Sequence, residues 1–497
     1  MDVDIDGRGR TQPESDRVWS IETHGIDPIP DSDRHGKPQE LFWIWCAANI
    51  GILGVTYGAF LVVFYSLNLW QGILAALIGT ILSFFLVGFV SLAGKRGGAP
   101  TLVLSRAAFG IRGNALPTVV SYVSLVGWEI ILVALSTLAA ETVLERLGWL
   151  SGDLALVVSF IVIAGATIVI GLLGHATIVK IQTWFTWGFA ILTVVFIGLA
   201  WSSIDFDAVS GLPTGPFWSG FVAGTSIIMA GLGIGWVNAG ADYSRYLPKG
   251  ASSRAVVGWT VFGASVAPII LIVFGVLLAA DNADVATSGA NPIGVLAEPL
   301  PTWFLVPYMV VAVGGLIGGA LLDIYSSGLN LLTLGLRVPR YQSVVIDGVL
   351  MLIGNTYILF FNDNFFLPFQ GFLITLGVLL AAWSAIFLVD MGLYRRRGYA
   401  EGDLYAVTGR YGAWNVAGVA SFLVAGFVGL GLVSSAPTGE PAWIFSWVGY
   451  LLRWFGWEDT AFATSSVGLL LAFAIAGALY AVLSRRAVDR AGATVGS

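Results

Sequence analysis

The sequence predicts an all-α integral membrane protein of twelve transmembrane helices. Three observations predict it. The 497 residues are 57% hydrophobic and 11% charged, with a mean hydropathy of +0.84, whereas soluble chains carry about a quarter of their residues as charges. Twelve apolar runs are each long enough to cross a hydrocarbon layer of roughly 30 Å as a helix. The 24 Lys and Arg alternate with those runs. All but Arg146 and Arg453 fall in the two tails or in every second connection. Basic residues mark the cytoplasmic side, so a multi-pass protein of the cell membrane with both termini cytoplasmic is expected. The single cysteine, Cys46, excludes a disulfide scaffold, and the net charge of -6 offers no basic face for nucleic acid.

Taken in order, residues 1–40 are polar and rich in Asp, Arg, Gly and Pro. They carry no apolar leader segment and are expected to form a mobile cytoplasmic tail. Spans are expected at 41–66, 69–94, 114–142, 152–174 and 178–201, a first group of five. A second group of five follows at 216–240, 255–280, 302–334, 342–361 and 365–390. A pair at 412–434 and 462–484 ends the chain before a cytoplasmic tail at 485–497. Segment 441–456 is short and aromatic, which suits a helix lying along the interface.

Three spans are too rich in glycine and polar residues to be plain helices. They read WIWCAANIGILGVTYG in the first, GTSIIMAGLGIGWVNAGADYSRY in the sixth and VGGLIGGALLDIYSSGLN in the eighth. Broken helices at membrane depth survive only inside protein or beside a wet cavity. Interruptions in matching positions of two halves point to a midplane binding site. The first and sixth spans are such a pair if spans 1–5 and 6–10 are inverted repeats. Close helix packing accounts for the same glycines, and both readings stand.

Enzyme signatures are scarce. His24, His35 and His175 do not cluster, so no metal site is expected. Gly94 and Lys95 are followed by Arg96, not by the Ser or Thr of a phosphate loop. No catalytic residue and no cofactor is expected. Intramembrane charge is more informative, because it is expensive and functional by default. Glu129 lies inside the third span. Asp323 lies inside the eighth, on one helical stripe with Gly315, Gly319, Ser327 and Asn330. Either acid is a candidate for binding substrate or proton, or for a structural hydrogen bond. Asp347 and Asp390 fall near inner helix ends, where a solvated role is expected. Trp128 and Trp236 sit mid-span rather than in the interfacial belts usual for Trp. They suit stacking on a flat ligand, or core packing. Asp242 and Arg245, three residues apart, can pair on one helical face and latch an inner gate, or merely anchor a helix end.

Three segments resemble the nucleobase–cation symporter-1 family, the purine–cytosine permeases. They are SRAAFGIRGNALP (105–117), GWVNAGADYSRYLP (235–248) and DIYSSGLNLLTLG (323–335). The resemblance implies a leucine-transporter-like fold, two inverted five-helix repeats plus two C-terminal helices. It implies a site between spans 1, 3, 6 and 8, with Trp128 and Trp236 sandwiching a planar heterocycle and Asp323 at the ring-edge position on span 8. Gly235, Asn49, Gly51 and Asn238 are further lining residues. The position one turn after Trp128, often an amide in the family, is Leu132, with Glu129 nearby. The stretch matching the family's sodium site is Gly318, Gly319 and Ala320, without hydroxyls, so proton coupling through Asp323 or Glu129 is expected over sodium. The expected function is secondary active import of cytosine or a purine by alternating access, with a hydantoin, allantoin or a pyrimidine vitamin precursor as alternatives. An intramembrane enzyme would need clustered His, Cys or carboxylates, and a sensor would need an appended domain.

Overall fold

The computed structural model describes residues 19, 22, 24–287, 292–361, 366–396, 398–435 and 443–495, and its regular structure is helical throughout. The first span is split into α1 (Glu40–Asn49) and α2 (Leu53–Val63). Then come α3 (Leu69–Gly97), α4 (Thr101–Phe109), α5 (Ala115–Arg146), α6 (Asp153–Leu173), α7 (His175–Ala200) and the short α8 (Phe206–Gly211). The sixth span is split into α9 (Ala223–Gly231) and α10 (Gly233–Trp236). Next are α11 (Ser253–Leu278), the single turns α12 (Asp284–Thr287) and α13 (Pro292–Val295), α14 (Leu305–Thr333), α15 (Arg340–Phe361) and α16 (Phe366–Val389). The chain closes with α17 (Val416–Gly431), α18 (Tyr450–Phe455) and α19 (Val467–Val495).

Among the described residues, 10 helices are long and apolar enough to cross a membrane, or 11 if the bent α1–α2 pair is one span. α17, with 16 residues, spans about 24 Å and is shorter than the hydrocarbon layer. The interfacial segment expected at 441–456 is described only from 443. It holds a short turn and the six-residue α18, with Trp447, Trp454 and Phe455 exposed. His175 opens α7.

The surface is that of a chain bathed in lipid. Ile161 and Val162 on α6, Ile191 and Val194 on α7 and Ile353 on α15 are all more than 60% exposed. That would be untenable for so many large apolar side chains in water. Exposed tryptophans mark one end of the spans: Trp70 opens α3, Trp149 follows α5, Trp201 follows α7 and Trp303 precedes α14. Successive antiparallel spans bring those ends to one side, where indoles suit an interface.

The tail departs from the expectation of mobility. Glu22 and Arg34 are buried. The Ile29 N–H donates to the Gly98 carbonyl and the His35 N–H to the Tyr246 carbonyl. The Arg34 guanidinium donates to the carbonyls of Ile29 and Lys95. From Glu22 onward the tail is thus a strap fastened across the ends of α3 and the sixth span. Polar composition did not prevent this, because backbone groups and guanidiniums supply the binding instead of apolar area.

Glycine sets how closely α2 and α11 cross. A methyl group on Gly58 would lie 2.0 Å from the Ile272 carbonyl oxygen, and one on Gly275 would lie 2.0 Å from that of Val55. Both obstacles are backbone, so neither helix can yield locally. Gly58→Ala is therefore expected to destabilise by at least the about 1–3 kcal/mol of ordinary overpacking. Gly165→Ala meets nothing within 4 Å and is expected to melt like the parent. Melting temperatures of the purified variants in detergent check both.

Candidate functional site

The site begins with two interruptions. On the first span the helical ladder ends with Ile50 N–H to Cys46 O and resumes with Gly54 N–H to Gly51 O. The axis turns by 56° between α1 and α2. On the sixth span, Leu232 leaves helical geometry at φ -115°, ψ -105°. The N–H of Gly233, freed by that break, donates to the Ser83 hydroxyl on α3 at 3.2 Å. The Gly231 carbonyl accepts from the Tyr57 hydroxyl at 3.4 Å. Unpartnered backbone groups in a dry interior cost several kcal/mol, so these two hydroxyls make the sixth-span break tolerable.

Glycines on α14 back the first break. A methyl group on Gly315 would sit 2.9 Å from the Ile50 carbonyl oxygen, and one on Gly318 would sit 3.1 Å from that of Ala47. The Gly318 carbonyl accepts from the Gln182 amide at 2.7 Å. Between the breaks lies a cavity of about 50 Å³ lined by Asn49, Gly51 and Tyr57, by Trp128 and Leu132 of α5, by Leu232 and Trp236, and by Gly315.

The structure brings together four of the residues expected at a binding site: Trp128, Trp236, Asn49 and Gly51 all line this cavity. The Trp128 indole is held edge-on by Phe369 and Phe372, with ring centroids 5.8 and 5.9 Å away. Trp236 meets Trp45 edge-on at 5.7 Å. Gly235 supports the site by being small, since a methyl group there would lie 3.2 Å from the Trp128 indole nitrogen. The Asn49 amide donates to the Trp45 carbonyl at 2.8 Å.

Other expected residues stand back from the cavity. Asn238 donates to the Ser121 hydroxyl at 2.8 Å, and Asn330 donates to the same oxygen at 2.7 Å. Together they tie the sixth span and α14 to α5. Asp323 lies one turn past Gly319, is 1% exposed, and neither carboxyl oxygen has a hydrogen-bond partner. Glu129 is fully buried beside Trp128 on α5, and its Oε1 lies 2.7 Å from the Ser327 hydroxyl. Asp347, expected to be solvated, is also fully buried and lies 3.0 Å from that hydroxyl. α15 begins at Arg340, which puts Asp347 two turns inside the helix. Gly328, whose added methyl would approach the Asp347 carboxyl to 3.6 Å, gives it room.

Asp242 and Arg245 do not pair. Asp242 Oδ1 accepts from the Thr101 N–H at 2.7 Å and the Thr101 hydroxyl at 2.8 Å, so it caps the N-terminus of α4 from another element. Arg245 is fully buried and pairs with Glu22 of the tail at 2.9 Å. Arg340 approaches the same carboxyl to 3.6 Å. The hydroxyls of Tyr246 and Tyr325 donate to it at 2.5 and 3.1 Å, and the His175 N–H at 3.0 Å. No local spacing signals this cluster, because Glu22 lies 223 residues from Arg245. Burial alone would push the Glu22 carboxyl up, but the Arg340 and Arg245 guanidiniums hold it below its ordinary value of 4.5.

The other motif residues stitch elements together. Ser105 accepts from the Trp383 indole at 2.9 Å. Arg106 donates to the carbonyls of Thr333, at the end of α14, and Leu404.

Sequence and fold comparisons point the same way. A family described as "Permease for cytosine/purines, uracil, thiamine, allantoin" matches residues 28–456. YxlA of Bacillus subtilis (strain 168) is 26% identical over 489 residues, covering 95% of this chain and 98% of that protein. The purine-cytosine permease FCY2 of Saccharomyces cerevisiae is 24% identical over 456 residues, covering 85% and 80%. Among solved structures, Mhp1, a nucleobase-cation-symport-1 family transporter in a closed conformation with bromovinylhydantoin bound, superposes with a TM-score of 0.71. It does so at 19% identity, over 93% of this chain and 96% of that one. The leucine-transporter-like fold is therefore shared.

Removing one partner of a buried ion pair costs about 3–5 kcal/mol, whereas exposed pairs are worth at most about 1 kcal/mol. Glu22→Gln is expected to lower the melting temperature clearly. Asp31→Asn, whose mostly exposed carboxylate meets Lys249 at 3.0 Å and Arg34 at 3.3 Å, should lower it much less. The lowered pKa sets the sign with pH. The Glu22 contribution is complete above its ordinary value of 4.5 and is lost as pH falls through the lower folded value. Melting curves of parent and Glu22→Gln should therefore converge in acid and stay apart at neutral pH.

Proposed function

This chain belongs to the family of permeases for cytosine/purines, uracil, thiamine and allantoin, the nucleobase–cation symporter-1 family, which are transporters and not enzymes; on that premise we propose that it imports a planar nucleobase, cytosine or a purine, together with a proton. The observation that carries this reading is one cavity, bounded by both helix breaks, with Trp128 and Trp236 in its walls. The family transports nucleobase-type substrates by cation symport. Two indoles can grip any such ring through its faces, so specificity rests on edge contacts from the backbone exposed at the breaks and from Asn49.

Loading and release require the walls to part on one side at a time. Alternating access supplies that motion. The set of helices around the split spans rocks against the set containing α5, α14 and α15. We read the chain as twelve crossings, α17 included, in two inverted groups of five and a closing pair, with both termini cytoplasmic. The strap docked through Glu22 then lies on the inner face and closes it. This replaces the expected Asp242–Arg245 latch with Arg245 acting on the tail.

A proton suits the coupling role better than sodium. Sodium needs several oxygen ligands. The Gly318–Ala320 stretch facing the first break brings no hydroxyl, and the Gly318 carbonyl already accepts from Gln182. A related heterocycle is the second reading, favoured by Leu132. Its apolar side chain lines the cavity and suits a substrate with a less polar edge than cytosine.

Uptake of labelled cytosine, adenine, hypoxanthine, uracil and allantoin into proteoliposomes, under separately imposed proton and sodium gradients, tests the proposal. Accumulation of a base on the proton gradient is expected. Absence of uptake for every compound overturns the substrate class, and stimulation by sodium alone overturns the proton. Trp128→Ala and Trp236→Ala should each cost about 1–3 kcal/mol of binding, seen by titration of the folded variants.

A further inference from the structure

Counting hydrogens around Ser327 locates a bound proton. The Ser327 oxygen lies 2.7 Å from Glu129 Oε1 on α5 and 3.0 Å from Asp347 Oδ2 on α15. All three residues are buried. A serine hydroxyl carries one hydrogen and can donate to one oxygen at a time. Two ionised carboxylates would leave one short oxygen–oxygen contact without any hydrogen, between groups that repel. One carboxyl must donate, so the trio holds one proton more than two carboxylates and a serine.

The surroundings say which carboxyl carries it. The Tyr122 hydroxyl donates to Asp347 Oδ1 at 2.6 Å. Asp347 thus accepts on one oxygen from Tyr122 and on the other from Ser327, as suits an anion. Glu129 has no such support, because its Oε2 is buried without a hydrogen-bond partner. Beyond the trio lies Asp323 on α14, with both oxygens unpartnered and 1% of its surface exposed. Tyr122 and Asp323 are the other titratable groups that face the trio. α6 packs against it with the apolar Ile168, beside Gly348.

We propose that Glu129, relayed through Ser327 to Asp347, is the site of the coupling proton, one proton per transport cycle. This rests on the proton-symport reading above. On this assignment Glu129 is the acid, donating to Ser327, which donates to the Asp347 carboxylate. Release breaks the Glu129 O–H bond. The proton goes to water, the electron pair stays on Glu129, and Ser327 is left between two carboxylates. That state is electrostatically unfavourable and is relieved only by taking a proton back. The trio is therefore a one-proton device. Its link to substrate is covalent and short: Glu129 follows Trp128 in the chain, and Trp128 lines the cavity. A ring pressing on the indole shifts the same turn of α5 that holds the acid. Ser327 and Tyr122 are positioning residues that fix where the proton sits.

The test compares parent, Glu129→Gln, Asp347→Asn and Ser327→Ala in proteoliposomes, using the transported base found in the uptake screen. Counterflow exchange measures binding and rocking without a gradient. Accumulation on an imposed pH gradient measures coupling, and infrared difference spectra report a protonated carboxyl. Glu129→Gln should keep counterflow, lose pH-driven accumulation and lose the carboxyl band. Asp347→Asn should keep counterflow and shift the pH profile of accumulation. Parent-like accumulation in Glu129→Gln, or a carboxyl band that survives in it, overturns the proposal. Should Glu129→Gln not reach the membrane, Ser327→Ala decides: a shifted pH profile supports the relay and a parental one overturns it. If the parent transports none of the bases, the function reading has failed. The infrared band, present in the parent and absent from Glu129→Gln or not, then judges the proton site by itself. Uptake driven only by sodium overturns the coupling role while leaving the nucleobase reading intact.

Discussion

The structure depends on one constraint: a helix may stop inside a membrane only where something else satisfies the backbone it abandons. At the sixth-span break the Ser83 hydroxyl takes the Gly233 N–H and the Tyr57 hydroxyl serves the Gly231 carbonyl. At the first break no hydroxyl among the described residues does this work. Instead α14 presents glycines so close that even a methyl group would crowd the Ile50 and Ala47 carbonyls. The cavity, the tryptophans around it and the glycine-rich face of α14 are consequences of placing two interruptions side by side.

A second pattern concerns buried charge. The core avoids isolated ions. Arg245 and Arg340 share Glu22, and Asp242 is spent on the end of α4. The acids of α5, α14 and α15 differ, since two of them share one serine hydroxyl and Asp323 has no partner. Polar groups in such surroundings are costly, and Glu129 and Asp323 lie within about two turns of residues that wall the cavity.

Much of this was legible in the sequence, for physical reasons. Lipid imposes a length on every span, so apolar runs report helices directly, and glycine clusters reported where helices break. Trp128 and Trp236 stood out because mid-span indoles are out of place. The sequence did not reveal what depends on distant contacts. Asp347 looked peripheral because its helix start at Arg340 could not be placed from hydropathy. Arg245 looked like a partner for Asp242 because the two are three residues apart, whereas the structure uses them for different elements. Residues 22–38 looked mobile because polarity says nothing of where a carboxylate finds two guanidiniums. Asn238 read as a lining residue but belongs to a bracket with Ser121 and Asn330.

Glu22 also bears on biogenesis. It leaves the ribosome before any span has been made, while its ligands belong to the end of the sixth span and the start of α15. The strap must wait, undocked, through most of synthesis and insertion. Only a chain threaded to at least Arg340 with the correct sidedness presents both guanidiniums to the same compartment as the waiting carboxylate. Docking of the strap thereby requires correctly oriented insertion of everything up to the start of α15.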